Sequence, residues 1–443
     1  MNNENSSYRS NSISRRNFVG ISLGAVAAGF GSEPAFAEPK RIAAIITTFF
    51  RMSHAEVIVG RLLKGYYYNG ERQHPRINIV SMYVDQFPNE QFVHRTAPDS
   101  DMSRDMAKQH GVPICKNIRE ALTLGGDDLA VDGVVIIGEH GIYPYNIKGQ
   151  ELYPRYHFFK QVVDVFSATG KVVPVYIDKH FSYNWDEAKW MYDQSVAMGF
   201  PMMAGSSLPV TWREPELELD IETPITKAVA IGRGPKERYG FHLLEMLQCM
   251  VERRKGGETG VSAVQCLEGS HVWNWTDTHP WAKRLLEEAL ARSAKNKSGS
   301  PRDNVSHPIL FILEYRSGLQ AACYLLNGHV STSAFIADID GRKDPIYCKF
   351  ILQGRPYGHF SGLAHFIEEM MITGIPSYPV ERTLLTTGVL EASFDSTYEN
   401  GSIVELGRRL ATPHLDIAYR AQKESLFNLG PMPPTEKDFG IGP

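Results

Sequence analysis

The first half of the chain alternates short apolar runs with longer segments in which apolar residues recur at helical spacing. The apolar runs do not alternate in polarity, which is typical of strands buried on both faces of a parallel sheet. With the helix-like segments between them, they predict an α/β domain with a doubly wound, Rossmann-like parallel sheet over residues 40–215. The runs that carry this prediction are residues 41–48, 77–85, 131–138, 171–177 and 200–205.

The pattern changes after Pro215. Several strand-like runs follow one another, with long helix-like segments before and after them. Consecutive strands are typical of antiparallel or mixed sheets, so residues 216–430 are predicted to form an α+β domain with an open, mainly antiparallel sheet. Residues 431–443 are predicted to be a loosely packed tail. A homo-oligomer formed through the second sheet is the expected assembly.

The N-terminus has the pattern of an export signal. Arg15 and Arg16 precede a weakly apolar run at residues 20–31, and the small-residue sequence Ala35-Phe36-Ala37 follows. This arrangement predicts a twin-arginine signal over residues 1–37 and a periplasmic or otherwise exported protein. The apolar run is shorter than the roughly 18 residues that a membrane span needs, and no later run is long enough either.

Composition excludes some partners. The chain carries 46 lysines and arginines against 50 aspartates and glutamates, a formal charge of −4. A mildly acidic chain has no broad electrostatic basis for binding nucleic acid. The five cysteines are scattered without metal-type spacing, which favours buried thiols over a disulfide framework.

The most informative block follows the strand predicted at residues 171–177. That strand ends in Asp178-Lys179-His180, and in open α/β sheets ligands bind beyond the carboxyl ends of the strands. The block resembles the Gfo/Idh/MocA family of sugar oxidoreductases, in which the motif is Glu-Lys-Pro. The resemblance spans most of the chain, up to the helix around Glu391. It implies a small carbohydrate substrate, an NAD(P) cofactor and a catalytic role for Lys179.

A second block resembles the same family. Residues 238–242 read Arg-Tyr-Gly-Phe-His, where the family has Asp-x-Gly-x-His at the start of a helix. The resemblance implies that His242 transfers a proton and that it faces Lys179 across one pocket. Arg238 replaces the family's aspartate, so we expect a cation there to lower the pKa of His242.

The turn where a dinucleotide cofactor would bind departs from the family. Residues 47–53 contain no glycine, although glycines normally allow the pyrophosphate to approach the backbone. Ser53 and Glu56 form a capping box whose helix could still bind an anion. Binding of NAD(P) and loss of the cofactor therefore both remain open. The residues expected to bind NAD(P) are Thr47, Arg51, Ser53, Asp85, Glu139 and Lys179.

Other polar residues are expected at the same sheet edge. Glu139 and His140 follow the fourth predicted strand, between two glycines that favour close approach of a ligand. Imidazoles and carboxylates here could also bind a metal, but their spacing is not diagnostic, and we assign no metal ligand. The residues expected to contact substrate are His140, Tyr143, His180, Arg213 and Arg238.

Three hypotheses of function follow. The first is an exported oxidoreductase that acts on a sugar or cyclitol, with Lys179 polarising an oxygen and His242 moving its proton. The second is a cofactor-free or metal-dependent carbohydrate lyase, hydrolase or isomerase on the same fold, which the missing glycines favour. The third is a noncatalytic carbohydrate-binding protein. The fold alone does not separate them.

Overall fold

The computed structural model describes residues 38–88, 101–293 and 296–435. The predicted export signal at residues 1–37 lies outside these ranges, as does the tail from residue 436. The helices are α1 (His54–Lys64), α2 (Ser103–His110), α3 (Ile118–Thr123), α4 (Arg155–Thr169), α5 (Trp185–Met198), α6 (Lys236–Val251), α7 (Ser270–Thr278), α8 (Pro280–Arg292), α9 (Pro301–Asn304), α10 (Phe360–Thr373) and α11 (Glu381–Ser396).

The strands begin and end as follows: β1 (Lys40–Ile46), β2 (Tyr66–Tyr68), β3 (Glu71–Gln73), β4 (Ile77–Val84), β5 (Ile114–Cys115), β6 (Gly133–Ile137), β7 (Val175–Asp178), β8 (Met202–Gly205), β9 (Trp212–Glu214), β10 (Ile225–Gly232), β11 (Val261–Glu268), β12 (Ile309–Tyr315), β13 (Gln320–Leu325), β14 (Ser333–Ile339), β15 (Ile346–Ile351), β16 (Tyr398–Glu399), β17 (Ser402–Ile403) and β18 (Leu410–Ala411). No helix among the described residues is long and apolar enough to cross a membrane.

The first sheet is parallel and doubly wound. Its six strands have the order β5-β4-β1-β6-β7-β8, and every pairing within it is parallel. This is the strand order of dinucleotide-binding folds, with a switch point beside β1. The central strands are buried on both faces, as their unbroken apolar runs predict. The predicted fold class is confirmed.

The second sheet is mixed. Its eight strands have the order β18-β11-β12-β13-β10-β14-β15-β9. The pair β10–β13 is parallel and the other pairs are antiparallel. Helices α6 and α11 pack on one face around Leu243, Phe311 and Val389.

Packing crosses the boundary predicted at residue 215 in two places. β9, which precedes it, pairs with β15 of the mixed sheet. α10, which follows it by more than a hundred residues, packs its apolar side on the parallel sheet, with Leu363 and Ile367 beside Ile42. Hydrophobic faces, more than order along the chain, therefore decide which sheet each element covers.

The other face of the mixed sheet is also covered. Val272 of α7 and Leu285 of α8 bury it against residues such as Ile231, Tyr324 and Ile336. An antiparallel sheet usually leaves one face exposed to water, and here the segment after β11 fills it. The expected homo-oligomer through this sheet would therefore have to use an edge or the outer surface of the helices. All five cysteines are free, and all except Cys115 are buried.

Gly240 allows α6 to lie close to the mixed sheet. A Cβ atom at this position would be 2.8 Å from the ring of Phe311 on β12, and Phe311 is fully buried. A well-packed interior does not admit another carbon at that distance without a shift of the helix. The position of α6, and of His242 on it, therefore depends on a residue without a side chain.

We predict that Gly240→Ala destabilises the protein by about 1–3 kcal/mol, the usual cost of overpacking. Denaturant unfolding monitored by circular dichroism measures this change. Gly60→Ala in α1 is the matched control, because its Cβ would meet only Glu56 Cγ, at 3.7 Å. Alanine there should be neutral or stabilising by up to about 1 kcal/mol. Equal stability of the two variants would show that the Phe311 contact does not hold α6 in place.

Candidate active site

The candidate site lies at the carboxyl edge of the parallel sheet, where β1, β6 and β7 end side by side. The Thr47 hydroxyl, just after β1, donates to the carbonyl oxygen of Glu139 at 2.6 Å. Lys179 follows β7 with a φ angle of 72°, an uncommon conformation for a residue that is not glycine. Its backbone N–H donates to Gly205 O at 3.2 Å. Backbone strain of this kind is common at functional sites.

Lys179 and His242, expected from the resemblance to face each other across one pocket, are in direct contact. Lys179 Nζ lies within hydrogen-bond distance of His242 Nε2, and both side chains are buried. The other imidazole nitrogen, Nδ1, is 2.5 Å from the Ser206 hydroxyl. The backbone N–H of Ser206 in turn donates to Glu245 Oε2 at 3.4 Å. The imidazole is therefore held from both sides, which fixes its orientation towards Lys179.

Burial sets the protonation of this pair. It lowers the pKa of Lys179, while the nearby carboxylates of Glu139 and Asp178 act in the opposite direction. The pKa of His242 is held well below its ordinary value, first by burial and then by the charge of Lys179. A neutral imidazole beside an ammonium that releases its proton more readily than usual can share one proton with it. The pair is suited to general acid–base chemistry.

Glu139 provides the negative charge behind the pair. Arg155 Nη2 donates to Glu139 Oε2 at 2.9 Å, and Arg238 Nε lies 3.8 Å from Oε1. Burial alone would raise the pKa of Glu139, but Lys179 and Arg155 outweigh it and keep that pKa well below its ordinary value. Arg238 also donates to Glu151 at 2.7 Å. Its charge is thus directed at carboxylates, and the low pKa of His242 comes from burial and Lys179 instead.

Two histidines without a sequence-based assignment complete the site. His54, the first residue of α1, has its Nδ1 2.7 Å from Asp178 Oδ2, and its backbone N–H donates to His140 Nδ1 at 3.4 Å. His359 precedes α10 and is buried. The sequence could have indicated His54, because the capping box at Ser53 places the next residue at the carboxyl edge of β1. The sequence around His359 does not indicate a place in the site, because only the packing of α10 brings His359 to it.

These residues line a cavity of about 520 Å³. Such a volume is within the range of small-molecule sites. The wall includes six of the site residues predicted from the sequence. They are Arg51, Glu139, His140, Lys179, Arg238 and His242.

Some predicted site residues lie outside the cavity wall. The Tyr143 hydroxyl donates a hydrogen bond to the Asp85 carboxylate at 2.7 Å, so these two side chains bond to each other. His180 lies behind the wall, with its Nε2 3.1 Å from Arg155 Nη1. Arg213 donates to the carbonyl oxygens of Leu217 and Pro209. Its guanidinium also stacks over the ring of Phe427. Arg213 thus lies away from this cavity, and both of its terminal nitrogens donate to backbone carbonyls.

The turn after β1 does not fit the pyrophosphate of a dinucleotide in the usual way. Ser53 caps α1 and accepts from the backbone N–H of Glu56 at 3.3 Å, as the capping box predicts. The Glu56 carboxylate, however, accepts from the backbone N–H of Met52. Phe49 and Phe50 are buried in the same turn. The N–H groups of Met52, His54 and Glu56, at the start of α1, thus already have acceptors within the chain.

A preformed metal site is likewise absent from the described part of the chain. No group of three or more His, Cys, Asp or Glu side chains there is arranged to hold an ion. The acidic and imidazole side chains at the sheet edge instead pair with arginine, lysine or one another.

Comparison with solved structures supports the fold. GenD2 from gentamicin A biosynthesis, solved in complex with NAD, matches 88% of this chain and 99% of its own, with 12% identity and a TM-score of 0.51. An oxidoreductase from Agrobacterium radiobacter, in complex with NAD+, L-tartaric acid and magnesium, matches 85% and 99%, with 13% identity and a TM-score of 0.50. No family model and no curated protein matches the sequence.

We predict that acid destabilises the protein through its buried histidines. Burial, reinforced by Arg61, lowers the pKa of His359 from 6.5 to about 3. The unfolded chain therefore binds a proton that the folded chain does not, and stability is lost as the pH falls from 6.5 towards about 3. Thermal unfolding across this range should show a falling midpoint, with a shallower fall for His359→Gln. An identical slope in the variant would mean that His359 does not titrate in this way.

Proposed function

We propose that this protein, which has the fold of the Gfo/Idh/MocA-type oxidoreductases, is an enzyme that acts on a sugar or cyclitol in the cavity. The observation that carries the proposal is the contact between Lys179 and His242 in the cavity wall. Lys179 polarises an oxygen of the substrate, and His242 moves the proton. A carbohydrate suits the site because the wall supplies several hydrogen-bonding groups around one acid–base pair.

The chemistry of the pair follows from its surroundings. A neutral His242 can accept a proton at Nε2, because Ser206 already occupies Nδ1. Lys179 can stabilise the negative charge that develops on the substrate oxygen, and it is buried where such an interaction is strong. Glu139 and Asp178 keep the ammonium form accessible in spite of burial. Together these groups favour removal of a proton from a hydroxyl, or from a carbon next to a carbonyl.

Two forms of the reaction use this pair. In a redox form, the alcohol and ketone of the substrate interconvert, and a hydride partner such as NAD(P) is required. Solved proteins of the same fold that contain NAD support this form. In a redox-neutral form, proton removal gives an enolate, which isomerises or loses a leaving group. The occupied amides after β1 favour the second form.

We predict that Lys179→Met lowers turnover about 100-fold or more, the usual contribution of a positioned acid–base group. Carbohydrates and cyclitols, each with and without NAD(P), form the substrate panel. Reduced nicotinamide is followed by absorbance, and proton exchange is followed by NMR in deuterated water. Deuterium on the substrate carbon without change in the nicotinamide identifies the redox-neutral form.

Lys189→Met is the matched control. Lys189 is half-buried on α5, outside the cavity wall, and pairs with Asp193 at 2.6 Å, so its loss should leave turnover unchanged. His242→Gln should resemble Lys179→Met, since the two residues act on one proton. If Lys179→Met turns over substrate as fast as Lys189→Met, the assigned mechanism is wrong.

Export by the twin-arginine route is part of the proposal. It is supported by Arg15 and Arg16 ahead of a short apolar run. Replacing both by lysine should leave the precursor in the cytoplasm, as shown by cell fractionation and immunoblotting. Arg9→Lys is the control, because this residue lies outside the pair. Normal export of the double variant would exclude the route.

A further inference from the structure

We infer that the Glu56 carboxylate takes the place that a dinucleotide pyrophosphate occupies at the start of α1, so that this chain does not hold NAD(P) there. In dinucleotide-binding folds the pyrophosphate lies at the N-terminus of the first crossover helix, against backbone amides and the positive end of the helix dipole. The equivalent helix here is α1, which follows the central strand β1.

Four backbone N–H groups of this turn donate to acceptors within the chain. Phe50 N–H donates to Ser53 Oγ at 3.2 Å, and Ser53 N–H donates to Phe50 O at 3.0 Å. Met52 N–H donates to Glu56 Oε2, and His54 N–H to His140 Nδ1 at 3.4 Å. An incoming phosphate would have to displace a carboxylate, a hydroxyl and an imidazole.

Charge makes the displacement still less favourable. Glu56 is an acidic residue in the first turn of α1, where a carboxylate is stabilised by the helix dipole just as a phosphate would be. A bound pyrophosphate would face this carboxylate at close range, and like charges repel.

The shape of the turn also leaves little room for a phosphate. Met52 has a φ angle of 68°, and the turn buries the side chains of Phe49 and Phe50, where glycines would leave room.

The carboxylate expected to bind the adenosine ribose also accepts hydrogen bonds from side chains of the protein itself. Asp85, which follows β4, accepts from the hydroxyls of Tyr83 and Tyr143 at 2.8 and 2.7 Å. The carboxylate expected to hold the adenosine ribose is thus already bonded to two phenols of the chain. The pyrophosphate anchor is therefore replaced by contacts of the protein with itself, and the ribose anchor, Asp85, is exposed but shared with two phenols.

The test measures anion and dinucleotide binding directly, without reference to turnover. Isothermal titration calorimetry with NAD+, NADPH and inorganic pyrophosphate is carried out on the parent protein, Glu56→Ala and Glu56→Gln. We expect no saturable dinucleotide binding to the parent. In Glu56→Ala, which frees Met52 N–H and removes the charge, pyrophosphate affinity should rise about tenfold or more, the value of a hydrogen bond to a charged group. Glu56→Gln removes only the charge and should give a smaller rise.

Glu120→Ala is the matched control. Glu120 occupies the same capping position on α3, where its carboxylate accepts from Lys116 N–H at 2.7 Å and Asn117 caps the helix. Its removal should leave pyrophosphate binding unchanged. Thermal unfolding shows whether each variant is folded, and the parent measurement stands without any variant. Stoichiometric NAD(P) binding to the parent, or equal pyrophosphate affinity in the parent, Glu56→Ala and Glu56→Gln, overturns the inference. Either result leaves the proton-transfer role of Lys179 and His242 to its own test.

Discussion

The burial of an ammonium group is the constraint on which the candidate site depends. Lys179 is 3% exposed, and a buried charge is costly unless other charges and hydrogen bonds compensate it. Glu139 and Asp178 supply that compensation, and each is held by a further partner: Arg155 for Glu139 and His54 for Asp178. The site is therefore a layered network, in which Lys179 is compensated by two carboxylates and each carboxylate by a partner of its own.

The same network connects the two sheets. Lys179 follows a strand of the parallel sheet, whereas His242 lies on α6, which packs on the mixed sheet. The close approach of α6 at Gly240 and the hydrogen bond between Ser206 and the imidazole position His242 within reach of the lysine. Core packing and catalytic geometry are consequently coupled, so that a change of one carbon atom in the core can move a proton-transfer group.

The turn after β1 shows how one scaffold can carry different chemistry. The strand order and crossover helix of a dinucleotide-binding fold are retained, but the amides that would bind phosphate are bonded to side chains of the same turn. A capping box and an anion site compete for the same N–H groups. Since a helix end has few such groups, satisfying them internally stabilises the turn and removes the ligand site together. Fold and cofactor are thus separable properties here.

The sequence by itself determined the fold class and the sheet edge at which the site lies. Unbroken apolar runs predict doubly buried strands, and the carboxyl ends of parallel strands must meet at one edge, which brings Glu139, His140 and Lys179 together. The tertiary structure alone decided which polar residues face the cavity. Arg213, predicted to contact substrate, is bonded to backbone carbonyls, whereas His359 reaches the site from a distant loop. The physical reason is that periodicity records whether a residue is buried and in which element, while partner choice for a buried polar group depends on contacts between elements far apart in the chain.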